Sequence, residues 1–202
     1  MTFNITTADE VVKRALSQCG ELTDDGHTAA LAGVQVSTAM VGVYKLGGGA
    51  RWDQRSCYST PTNQFPGTCD CSGFLAWSAK YDRGVWNTDA IVDDATNHQG
   101  RFAVVHSEIP VRPGDFIVKK GPDLDHDGVR DHPGHCGIVV EVMPEFERGV
   151  KGWWEHLRVA HCSGALQLHV DPATDRFYGA VRVTNAAIWA LDGYLIRPLH
   201  VR

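Results

Sequence analysis

Apolar positions in the first half of the chain recur mostly at helical spacing, whereas those in the second half come in short runs rich in β-branched residues. Thr7 followed by Glu10 is a capping-box pattern, and Val11, Val12, Ala15, Leu16 and Cys19 then share one helical face before Gly20. Residues 28–43, after the Asp24-Asp25-Gly26 turn, predict a second helix. Behind it, Tyr44-Lys45-Leu46 runs into three glycines that allow a tight turn. Residues 50–68 read as a loop rich in Ser, Thr, Asn and Pro; Cys57 and Cys69 bracket it, and a disulfide could close it only in an oxidising compartment. From Ser72 an apolar run through Phe74, Leu75, Ala79 and Tyr81 predicts a helix that buries one face and stops at Gly84. Residues 88–96 predict a short helix, and 111–115 a turn into a strand at 116–118. Further strands are predicted at 136–143, 157–162, 165–170, 177–184 and 194–199.

Helices first and consecutive antiparallel strands afterwards define an α+β fold. With 202 residues, 43% of them hydrophobic, the chain suits one domain, and neither an internal repeat nor a low-complexity tract divides it. The expected organisation is N-terminal helices over 1–43 and a core over 44–202, with inserted loops at 50–69 and 120–134. A formal charge of -5 gives no basic footprint, so nucleic acid is not an expected partner. Residues 26–44 carry no Asp, Glu, Lys or Arg. They include Gln35, Ser37 and Thr38 and are marginal in length for a bilayer, so a buried helix is expected there and no membrane span. The opening Met1-Thr2-Phe3-Asn4-Ile5-Thr6 lacks the basic-then-apolar order of a secretory signal, so export would need another route or a lost leader.

Chemistry concentrates where the loop meets the apolar helix. Cys71 falls in the first helical turn, where the helix dipole and unpaired amides favour thiolate over thiol. A thiol nucleophile needs a base and a group to orient that base. His135 opens one predicted strand and His161 closes another. If those strands pair antiparallel, both imidazoles share one face, expected to be catalytic, while Cys136 and Cys162 point to the other, expected to be core. Thiolate and imidazole are also zinc ligands, but these three residues lack the close ligand pairs of a zinc module. Separately, Asp123, Asp125, Asp127 and Asp131 occupy the first, third, fifth and ninth positions of a calcium-loop pattern, with Gly128 sixth. Gly134 stands twelfth in place of the bidentate glutamate, so any structural calcium is expected to bind weakly.

Four motifs, Tyr44-Lys45-Leu46-Gly47-Gly48, Asp70-Cys71-Ser72-Gly73-Phe74, Pro113-Gly114-Asp115 and Gly134-His135-Cys136-Gly137-Ile138, stand in this order, and with His161 they extend from Tyr44 over somewhat more than half the chain. Together they resemble the NlpC family of cell-wall cysteine peptidases. The resemblance implies a papain-like fold with the catalytic cysteine at a helix N-terminus, and a peptidoglycan hydrolase that needs no cofactor for catalysis. It makes Cys71 the nucleophile, His135 the base and His161 the orienting residue. Tyr44, Asp70 and Ser72 match positions that line the cleft and hold the free amine of a stem peptide. The implied substrate is that stem, cut at the γ-D-Glu-diaminopimelate bond. A CHAP-like amidase, a cross-link endopeptidase and a non-catalytic wall-binding protein stay open as alternatives. The loops after Gly49 and His135 are long for the family. Within the second, Trp153 and Trp154 either stack on substrate or pack as a lid over the sheet. Where the protein acts is left open: made in a bacterial or phage-infected cytoplasm and directed at the wall, it could meet an immunity or delivery protein if it is a secreted effector.

Overall fold

The computed structural model describes residues 6–17, 19, 43–44, 68–81, 86–125, 133–163, 169–171, 176–178 and 181–201. Among them are three α-helices, α1 (Ala8–Leu16), α2 (Cys71–Ser78) and α3 (Thr88–Thr96). The strands are β1 (Val43–Tyr44), β2 (Thr68–Cys69), β3 (Phe102–Val104), β4 (Phe116–Lys119), β5 (His135–Val142), β6 (Leu157–Cys162), β7 (His169–Asp171), β8 (Arg176–Tyr178), β9 (Val181–Asn185) and β10 (Tyr194–Pro198). Six of them form one antiparallel sheet in the order β3-β10-β4-β5-β6-β9, which makes the architecture α+β. None of the described helices is long and apolar enough to cross a membrane.

The sheet buries both faces. On one, Phe116, Val118, Cys136, Ile138, Ala160, Cys162, Val183 and Ile196 meet the three helices through Val11, Ala15, Phe74, Leu75, Ile91 and Val92. On the other, Ile117, Val139, Leu157, Val159 and Leu195 meet two 3-10 turns, Trp153–His156 and Ala187–Trp189. Trp153 and Trp154 pack against this second cluster, 6.2 Å apart and edge to face, which is the lid arrangement. Asp115, fully buried at the turn before β4, accepts from both Nε and Nη2 of Arg197 on β10 at 2.8 Å and from the Arg112 N–H at 2.9 Å. A bidentate, charge-assisted pair of this kind pins the turn to the neighbouring strand.

α1 realises its capping box, Thr7 with Glu10. It ends at Leu16, which is 39% exposed rather than facing the core with Val11 and Ala15. α2 departs further from expectation. All eight of its residues are buried, because nothing charged interrupts positions 71–79 and the helix sits between α1 and the sheet. Nor does it run to Gly84. Lys80 takes a left-handed conformation (φ 57°), the Tyr81 N–H donates to Ala76 O and the Lys80 N–H to Trp77 O. This is a Schellman ending with lysine in the place glycine usually holds. It frees Tyr81 to leave the helix and pack among Trp86, Phe102, Phe116 and His200.

The short helix over 88–96, the strand from Phe116 and the strand over 157–162 form where expected. The single strand expected over 177–184 is instead two: β8 pairs with β7 in a separate ribbon, and β9 joins the main sheet beside β6. Val43, expected to end a helix, pairs with Thr68 in the parallel β1–β2 ladder. The remainder of the predicted second helix, most of the 50–68 loop including Cys57, and residues 165–168 lie outside the described residues.

Candidate active site

Asp70 is extended (φ -101°, ψ -176°) and caps α2: its Oδ1 accepts from the Gly73 N–H at 2.7 Å and from Ser72 Oγ at 3.0 Å. The cap forms because a carboxylate at this position satisfies an amide that has no partner within the helix. Cys71 is therefore held as the first helical residue, with 6% of its surface exposed and its Sγ 4.0 Å from Gly134 O. Backbone pairing of Tyr44 with Cys69 sets Tyr44 one residue from Asp70 along the adjacent strand. Asp70 and Ser72, expected to line a cleft, are both buried in the cap itself.

His135 begins β5, opposite Lys119 of β4, and is half-buried. Its ring stacks on Trp189 (centroids 5.2 Å, planes 20° apart), and the Trp189 Nε1–H donates to the His135 carbonyl at 3.2 Å. His135 Nε2 lies 2.8 Å from Nδ1 of His161, which is fully buried on β6. His161 Nε2 lies 3.0 Å from Thr184 Oγ1 on β9, and that hydroxyl donates to the Asn185 carbonyl at 2.9 Å. Gly137 makes the histidine contact possible. A Cβ there would stand 2.5 Å from Val159 Cγ1 and 3.1 Å from His161 Cβ, so only glycine lets β6 come this close.

The Cys71 thiol is held well below its ordinary range. The largest cause is a hydrogen bond with the Cys136 thiol; a hydrogen bond with His135 and that ring's charge add to it, while burial and the Asp70 carboxylate oppose it. Burial pushes the Cys136 thiol in the opposite direction, toward the protonated form. These influences favour the thiolate form of Cys71 at a helix N-terminus.

Cys71, His135 and His161 thus come together from three elements. The two imidazoles do share one face of the β5–β6 pair, with Cys136 and Cys162 on the other. Both faces are core, and α2 brings Cys71 to the face that carries Cys136. The site lies where the two faces meet, at the start of β5, because His135 is the first residue of its strand. Three contributors had no local signal in the sequence: Cys136 beside the thiol, Thr184 behind His161, and Trp189 under His135. A groove lined by Lys120, Pro122, Leu191, Asp192 and Tyr194 opens where β4 leaves the sheet, next to the strand end that carries His135. Asp123 and Asp125 follow it; Asp127 and Asp131 lie outside the described residues. Among the described residues, no group of three or more His, Cys, Asp or Glu is arranged to hold a metal ion.

No protein-family model matches the chain, and no curated protein does. Among solved structures it is similar to NlpC1 from Trichomonas vaginalis, with TM-score 0.39 and 16% identity over 78% of this chain and 39% of that one. It is also similar to Ly7917, with TM-score 0.32 and 12% identity over 96% of this chain and 63% of the other. The chain spans less than two thirds of either protein, and overlaps this loose establish neither family nor activity.

Proposed function

We propose that this protein is a thiol-dependent peptidoglycan hydrolase. The observation that carries the reading is a buried cysteine at a helix N-terminus, next to the residue before His135 (Sγ 4.0 Å from Gly134 O), its thiol shifted toward thiolate in part by that histidine, which is itself held by a second histidine at 2.8 Å. In this reading Cys71 Sγ attacks a peptide carbonyl. The first amides of α2, ahead of the Gly73 N–H that Asp70 caps, serve the developing oxyanion, as helix N-termini favour negative charge. His135, having taken the thiol proton, returns it to the leaving amine. It then draws a proton from the water that cleaves the thioester and restores the thiol. His161 orients His135.

Cell-wall stem peptide as substrate, and the γ-D-Glu-diaminopimelate bond in particular, rest on the four-motif resemblance. The test is mass spectrometry of purified peptidoglycan after digestion by wild type, Cys71→Ala, His135→Ala and His161→Ala. The first two variants should lose nearly all hydrolysis while keeping their fold, because nucleophile and base act as a unit. His161→Ala should retain more, since orienting a base is worth less than being one. Full activity in Cys71→Ala would end the thiol mechanism.

A further inference from the structure

The His135–His161 contact leaves open which nitrogen carries which proton, and the residue behind it decides. Thr184 has one hydroxyl proton and gives it to Asn185 O at 2.9 Å. Toward His161 Nε2, 3.0 Å away, it therefore offers a lone pair, so Nε2 carries the His161 proton. A neutral His161 then presents a bare Nδ1 to His135 Nε2, and the 2.8 Å contact is a hydrogen bond only if His135 Nε2 is the protonated nitrogen. His135 is left with its lone pair on Nδ1, the nitrogen not engaged with His161. A proton leaving Cys71 has that site to go to. His161 and Thr184 are 0% and 6% exposed, so water does not compete for either position.

We infer that Thr184 is a positioning residue: its hydroxyl fixes the tautomer of His161, and through it the nitrogen on which His135 receives a proton. The inference rests on the reading of Cys71 and His135 as nucleophile and base. Without the hydroxyl, His161 can shift its proton to Nδ1 and point it at His135 Nε2. Imidazolium formation on His135 then sets two N–H groups against each other, and the base weakens.

The experiment compares wild type with Thr184→Val, which keeps shape and loses the hydroxyl, and Thr184→Ser, which keeps it. Iodoacetamide labelling of Cys71, followed across pH by mass spectrometry of its peptide, reads the thiolate without any substrate. Thr184→Val should move the labelling midpoint to higher pH and lower kcat on peptidoglycan about 10–100-fold with KM little changed, the range seen when a tautomer-fixing partner is removed from a metal-bound histidine. Thr184→Ser should restore both. Superposed profiles for wild type and Thr184→Val, or equal shifts in the Val and Ser variants, would overturn the inference. Should Thr184→Val not fold, ¹⁵N spectra of wild-type His161 still decide: a proton on Nε2 is expected, and one on Nδ1 refutes the relay. A labelling shift in Thr184→Val with peptidoglycan left intact by the wild type would sustain the relay and sink the hydrolase reading.

Discussion

Substituting Gly137 with alanine should separate site geometry from stability. The added Cβ would sit 2.5 Å from Val159 Cγ1 and 3.0 Å from Ala160 O, whereas unstrained carbon contacts lie at about 3.5–4.0 Å. Val159 is β-branched and fully buried, so its χ1 has little freedom to swing away. Strand β6 must then retreat by about 1 Å, a gap set by those contact distances. His161 rides on β6, and a retreat of that size stretches its 2.8 Å contact with His135 past hydrogen-bonding range. Overpacking of this kind costs about 1–3 kcal/mol. For a domain of this size that is a fall in Tm of about 2–12 °C. The catalytic loss should be larger in proportion, with kcat on peptidoglycan falling about 10–100-fold at 25 °C, where the variant is still folded, as when a histidine loses the partner that orients it. Thermal unfolding and a turnover assay on the same preparation measure both effects. A Gly137→Ala protein that melts lower yet keeps wild-type kcat would show that the His135–His161 contact does not govern the base.

Three further outcomes are expected. Because the folded Cys71 thiol lies below its unfolded value of about 8.5, its contribution to stability is full above that value and is lost as pH falls through the folded one; the stability advantage of wild type over Cys71→Ala should therefore grow with rising pH until about 8.5, and a pH-independent difference would contradict the thiolate. Asp115→Ala leaves the Arg112 N–H and the partly exposed Arg197 guanidinium without their buried carboxylate and should destabilise by about 1–3 kcal/mol in denaturant titration, no measurable loss making the pair incidental. Asp70→Asn should melt close to wild type, since asparagine also caps well, but cleave free stem peptide more slowly; equal cleavage of free and amino-acetylated peptide by the wild type would make Asp70 a cap alone.

Some of this architecture is written locally. The Thr7–Glu10 box starts α1, the Asp70 cap starts α2, and Pro113-Gly114-Asp115 turns the chain into β4, because each is settled by side chains and amides a few residues apart. The α+β class follows from the order of helical and alternating segments, and the apolar-polar alternation of Leu157, Arg158 and Val159 is enough to place β6 over Leu157–Cys162. Where the local signal was ambiguous, packing decided. Lysine takes the left-handed position that ends α2 because Tyr81 gains an aromatic pocket by leaving the helix, and residues 177–184 divide between two sheets because β8 pairs with β7 while β9 pairs with β6.

The site divides the same way. Cys71 and His135 stand out in the sequence because a cysteine after a capping residue and a histidine opening a strand are features of a few adjacent residues. That Cys136 would face the thiol rather than only the core, that Trp189 would lie under His135, and that Thr184 would hold the far nitrogen of His161 depend on strand order β5-β6-β9 and on where a 3-10 turn crosses the sheet. Local patterns specify which face a residue takes. Contact between residues as far apart in sequence as 71, 135, 161 and 184 is decided only when the sheet has assembled, because each link is a cross-strand distance set by register and by the missing side chain at Gly137.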